Sequence, residues 1–148
     1  MPEQTTSSIV IPASVDAIMD VIADFDSYPA WAKVARAEVL SSYGPEQGGR
    51  AKEVFFALEV PPIKDEYTLA YVWHDETRVT WTLAEGKMLR SLEGAYEARD
   101  LGDGTTEVTY RLALDLSMPM IGMIKRKGEK ILIETALKGL KQRVASLA

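Results

Sequence analysis

The side chains most versatile in nucleophilic, acid–base and metal chemistry, cysteine and histidine, number none and one in this chain of 148 residues. There is no cysteine, which excludes disulfides, thiol nucleophiles and cysteine metal sites. The single histidine, His74, would have to anchor any Ser-His-Asp relay or histidine metal site. It stands in Trp73-His74-Asp75-Glu76, at the end of an expected strand beside a turn. Consecutive strand residues point to opposite faces, so these three do not converge on one ion. We therefore expect a surface His74, no metal and no cofactor.

The remaining candidates for catalysis are Arg90, Tyr96 and Tyr110. Parity with Leu92 and Tyr96 turns Arg90 inward, where an unpaired charge needs a partner or a ligand. It would bind a carboxylate or polarise a carbonyl. A bulge or an early strand start would instead send it to solvent. Tyr96 and Tyr110 are inward by the same parity, but the three make no recognisable catalytic constellation. Glu53, Glu85, Glu93 and Glu107 fall on outward strand positions, which leaves little for a paired-carboxylate mechanism.

These side chains must be positioned by a sheet and a long helix. Ser7–Ile11 is a short β-prone run stopped by Pro12. Ser14 suits an N-cap, and Val15, Ile18, Met19 and Ile22 follow at helical spacing. Tyr28-Pro29 marks a turn into a second short helix. From 34 to 116, Gly/Pro/Asp-rich breaks separate six strands: 34–43, 49–59, 65–74, 78–84, 88–99 and 105–116. Val108, Tyr110, Leu112 and Leu114 alternate with Thr109, Arg111, Ala113 and Asp115. Val79, Trp81 and Leu83 share a face, as do Val54, Phe56 and Leu58. One side of the sheet is therefore buried and the other wet.

Pro119 suits a first helical turn, and from there to about Ser146 the chain reads as one helix of nearly eight turns. Placed at 100° intervals, Lys127, Lys130, Glu134, Lys138 and Lys141 fall on a solvent arc. Opposite lie Ile121, Gly128, Leu132, Thr135 and Gly139, flanked by Ile124 and Ile131 on one side and by Ala136 and Leu140 on the other. Glycine inside a helix costs about 1 kcal/mol against alanine. Gly128 and Gly139 on the inward line thus mean either close backbone packing or open space. If space is left, the expected ligand-binding set is Phe56, Leu58, Trp81, Leu83, Leu92, Tyr96, Tyr110 and Leu112 from the sheet. The helix adds Ile124, Gly128, Ile131, Leu132 and Thr135.

The Met-rich start, Met118-Pro119-Met120-Ile121-Gly122-Met123, precedes the basic run Lys125-Arg126-Lys127. It reads as a cavity mouth able to touch a lipid surface transiently, or else as an ordinary packed helix start. Val60-Pro61-Pro62-Ile63 is placed on the same rim by loop position.

A net charge of −5 argues against nucleic acid, which needs a basic face. No run of about 18 apolar residues spans a membrane. The polar start Met1–Ser8 lacks a signal-peptide core, so a cytoplasmic protein of one domain, 1–148, is expected. Oligomeric state is not encoded in any feature of the sequence.

Three stretches carry a resemblance over about residues 5–146: Ile11-Pro12-Ala13-Ser14, Tyr28-Pro29-Ala30-Trp31, and Gly102-Asp103-Gly104-Thr105-Thr106-Glu107-Val108-Thr109-Tyr110. With the element order they resemble the START-like superfamily, also called Bet v 1-like or SRPBCC, and within it the bacterial polyketide cyclase/dehydrase and lipid transport branch. The resemblance implies an α+β helix-grip fold. A curved antiparallel sheet of about seven strands wraps a long C-terminal helix, with two short helices between the first two strands. It also implies a hydrophobic small-molecule ligand: lipid, quinone or polyketide-like. Three roles follow as alternatives: a carrier or binding protein, an aromatase/cyclase-type polyketide cyclase or dehydratase, or a protein-interaction module.

Overall fold

In the computed structural model, residues 5–32, 34–45, 48–60, 63–116 and 122–147 are described, the side chains of 60, 63, 64, 122 and 124 excepted. Strand β1 (Thr5–Ile11) leads to helix α1 (Val15–Ala23) and a 3₁₀ turn, Phe25–Ala30. Six strands follow: β2 (Val34–Ser42), β3 (Ala51–Val60), β4 (Ile63–His74), β5 (Arg78–Gly86), β6 (Leu89–Asp100) and β7 (Thr106–Leu116). Helix α2 (Gly122–Ser146) ends the fold. The strands form one curved antiparallel sheet in the order β1-β7-β6-β5-β4-β3-β2, the architecture expected from the sequence.

Local chemistry explains the helical elements. The Ser14 hydroxyl accepts a hydrogen bond from the Ala17 N–H at 3.2 Å, satisfying one orphan donor of α1. Ile18, Met19, Val21 and Ile22 are buried. The 3₁₀ turn is held back onto α1 by the Tyr28 hydroxyl, which donates to the Ile22 carbonyl at 2.5 Å. Phe25 from the same turn packs against Tyr28 and Tyr71, with ring centroids 4.8 and 4.9 Å away.

Helix α2 packs on β1, β7 and α1. Its solvent arc is as the sequence implies: Lys127, Lys130, Glu134, Lys138 and Lys141 are exposed. Its buried arc is only partly so. Gly128, Gly139 and Leu140 are buried as expected, but Glu129, Ile133, Leu137 and Val144 are buried too, centred about a third of a turn from the expected inward line, on which Leu132 and Thr135 are only half-buried. On this arc lies Glu129, an acid only 1% exposed. Its carboxylate accepts from the Thr5 hydroxyl at 2.7 Å and from the Leu114 N–H at 2.8 Å, so it sits in the core with its acceptors used.

The two readings of Gly139 resolve to close packing. A Cβ built there would lie 2.1 Å from the Trp31 carbonyl oxygen. The backbone at the end of the 3₁₀ turn occupies the space that an open cavity would have needed. The expected inward residue Ile121 and the rim residues Pro61, Pro62 and 118–120 lie outside the described residues. Met123, in the first turn of α2, is 81% exposed. No described helix is long and apolar enough to cross a membrane.

Candidate functional site: an aromatic hollow between sheet and helix

The inner face of the sheet is paved with rings. On β4, Tyr67, Leu69 and Tyr71 are buried at period-two spacing. On β5, Trp81 lies flat across β6 because its cross-strand neighbour is Gly94; a Cβ there would come 2.4 Å from the indole. Trp81, Tyr96 and Tyr110 form a mutual cluster, with centroids 5.3, 5.5 and 4.6 Å apart, within the range of favourable edge and tilted aromatic pairs.

These rings, with Leu132 and Ala136 of α2, Tyr28 of the 3₁₀ turn and Ala32 just after it, line a hollow of about 80 Å³. That holds a few water-sized molecules; a typical ligand pocket measures roughly 300–1,000 Å³. A larger molecule enters only if rings turn aside.

Eight expected residues are brought together around this hollow: Phe56, Leu58, Trp81, Leu92, Tyr96, Tyr110, Leu112 and Leu132. Leu83, Gly128, Ile131 and Thr135 are not on its wall. Leu83 packs half-buried against the core, Gly128 is buried but off this wall, and Ile131 and Thr135 are half-buried off it. The side chain of Ile124 is outside the described residues. Tyr28, Val34, Tyr67, Leu69, Tyr71, Leu89, Leu114 and Ala136 line the hollow without having been singled out. The alternation Tyr67-Leu69-Tyr71 was a readable signal for three of them.

Arg90 does not face the hollow. Between Leu89 and Ser91 the β6–β7 register slips, so Arg90 and Ser91 are both exposed while Leu89 and Leu92 are both buried. The Arg90 side chain is 70% exposed and pairs with Asp115, whose carboxyl it holds below the usual range. An exposed, solvent-screened pair of this kind adds little to stability. We expect Arg90→Ala to leave the urea midpoint nearly unchanged and ligand binding unaltered. A tenfold loss of affinity would return Arg90 to the site. His74 also lies outside the hollow, its Nε2 2.8 Å from the Thr80 hydroxyl.

The polar equipment of the hollow is phenolic. Burial, aided by their mutual proximity, pushes the phenols of Tyr28, Tyr67, Tyr71 and Tyr96 above the usual tyrosine value, and burial does the same to Tyr110. The neighbour common to the first four is Tyr110. The phenols therefore stay neutral at physiological pH. Tyr28 donates to Ile22, but the hydroxyls of Tyr67, Tyr71, Tyr96 and Tyr110 make no hydrogen bond to another described residue. Each remains free to donate to or accept from a guest.

The family model described as polyketide cyclase / dehydrase and lipid transport matches residues 2–146. No curated protein sequence matches significantly. Among solved structures, a START superfamily protein from Mycobacterium smegmatis superposes with a TM-score of 0.90 at 20% identity, covering 98% of this chain and 99% of that one. A protein from Thermus thermophilus gives 0.81 at 23% identity, covering 99% of both. The Zhui aromatase/cyclase from Streptomyces sp. R1128 gives 0.74 at 14% identity, covering 98% and 94%. At these identities the likeness establishes the fold.

Proposed function

This chain belongs to the polyketide cyclase / dehydrase and lipid transport family, and from that premise we propose that it binds an apolar, ring-bearing small molecule with carbonyl or hydroxyl oxygens, as a carrier or binding protein. The observation that carries this reading is the group of unpartnered phenols inside an otherwise apolar wall. A saturated acyl tail would leave those hydroxyls unsatisfied, whereas a quinone- or polyketide-like guest would pair them.

Binding is favoured over cyclase chemistry by the state of the same groups. General acid–base catalysis works best with a group whose pKa lies near the working pH. Phenols pushed above their ordinary value are poor acids and are not ionised to act as bases. They suit recognition of a ligand oxygen better than removal of a proton.

A guest that binds only the folded state stabilises it, by about 2.7 kcal/mol at a hundred times its Kd. We expect a hydroxylated or quinonoid aromatic at that excess to raise Tm by roughly 5–10 °C. Removing a hydroxyl with Tyr110→Phe should leave the fold intact and weaken binding about 2- to 10-fold, the worth of one hydrogen bond. Thermal scans and calorimetric titration check both. No shift across a broad set of apolar aromatics, together with no retained molecule in native mass spectrometry of fresh protein, would sink the reading.

A further inference from the structure

We infer that the hollow selects by charge: it admits neutral oxygen-bearing molecules and discriminates against carboxylates, because no cation lines its described wall while two buried acids stand directly behind it. The inference rests on the binding role proposed above and specifies the ligand class for that site.

The wall consists of aliphatic and aromatic side chains, and none of its described residues is charged. Arg90, a cation that strand parity would turn inward, points to solvent. Among the described residues of the wall, an anionic guest that lost its hydration would meet phenol and indole donors and no counter-charge.

Behind the wall are Asp65 and Glu129, 8% and 1% exposed. Asp65 accepts from the N–H groups of Glu66 and Met88 at 2.8 and 3.1 Å, and from that of Leu89 at 2.9 Å. Leu89 is itself a wall residue, and Asp65 is close enough to the wall phenol Tyr67 to help raise it. Glu129 accepts from Leu114, also of the wall, and lies on α2 one turn before Leu132. Both acids act as acceptors toward donors that fix their position, so neither can turn away from an incoming anion. Charges in a poorly solvated interior reach further than charges on a wet surface.

The test uses two molecules of nearly the same shape, 2-naphthamide and 2-naphthoate, titrated calorimetrically at neutral pH. We expect the amide to bind at least tenfold more tightly than the carboxylate. The difference should persist in about 1 M salt, where the Debye length is about 3 Å and the net charge of the protein surface is screened. Glu129→Gln should narrow the ratio. Its amide oxygen can still accept from Leu114, and its amide nitrogen can donate to the Thr5 hydroxyl, so the shape of the core is kept. Equal affinities, tighter binding of the carboxylate, or a preference that vanishes in salt would overturn the proposal. An unchanged ratio in Glu129→Gln would overturn the part given to that residue. If neither molecule binds, the binding role itself falls and the charge rule with it; if both bind alike, only the charge rule falls.

Discussion

Raising the pH above about 10 is expected to unfold the protein cooperatively, with tyrosinate appearing in the same step as the loss of structure. An unfolded chain ionises its phenols near 10. In the folded chain burial pushes Tyr28, Tyr67, Tyr71 and Tyr96 well above that, with Tyr110 raised beside them. Above 10 the unfolded state therefore releases protons that the folded state keeps. Stability must then fall as pH rises, by about 1.4 kcal/mol per phenol per pH unit. Below 10 both states hold these protons and the contribution is fully present. Four such groups acting together approach ~6 kcal/mol per pH unit, against a total stability of about 5–15 kcal/mol for a domain of this kind. Structure should therefore be lost within one to three units above 10. Tyrosinate absorbance and far-ultraviolet circular dichroism, followed together against pH, check this. If absorbance rises smoothly around 10 while the dichroism stays native, the phenols are open to water and the enclosed hollow does not exist.

Those same phenols show where the sequence was legible and where it was not. Alternation on β7 gave its inner face, because Val108, Leu112 and Leu114 are buried on an unbroken ladder, but Ala113, expected on the wet face, is buried as well. The same parity rule misplaced Arg90, since a slip between Leu89 and Ser91 adds a residue that no periodicity announces. Leu92 and Tyr96, beyond the slip, keep their inward side.

The phase of α2 was harder to read for a different reason. Ile131, Leu132 and Ile133 are consecutive and apolar, so the helix has no single hydrophobic edge, and nothing in the local pattern marks Glu129 as a core residue. What seats Glu129 in the core is the hydroxyl of Thr5, 124 positions away, and one strand N–H that needs an acceptor. A partner so distant leaves no trace in local spacing. Asp65 is the same case, its acceptors taken by N–H groups of Met88 and Leu89 across the β5–β6 turn. The element order could be read because turns and alternation are local. The charge behind the hollow could not, because it depends on contacts made only after the chain closes.

Gly139→Ala should be among the most damaging single-methyl additions in the chain. In an isolated helix the change would gain up to about 1 kcal/mol, since alanine is the better helix former. Here the new Cβ would lie 2.1 Å from the Trp31 carbonyl oxygen and 3.2 Å from its carbon, and backbone atoms cannot swing aside as a flexible side chain can. Either α2 rises off the turn or the turn leaves α1, and the second movement strains the Tyr28 bond to Ile22. We expect a net loss of about 3 kcal/mol or more despite the better propensity, and a fall in Tm of roughly 6–12 °C. Gly104→Ala supplies the comparison. That glycine has a φ of +84° and nothing within 4 Å of its would-be Cβ, so its cost is the backbone strain alone, about 1–2 kcal/mol. Urea unfolding of both variants separates steric contact from conformation. A Gly139→Ala protein as stable as the parent would mean that α2 is free to move off Trp31. The hollow that Leu132 and Ala136 help to close would then lack a fixed wall.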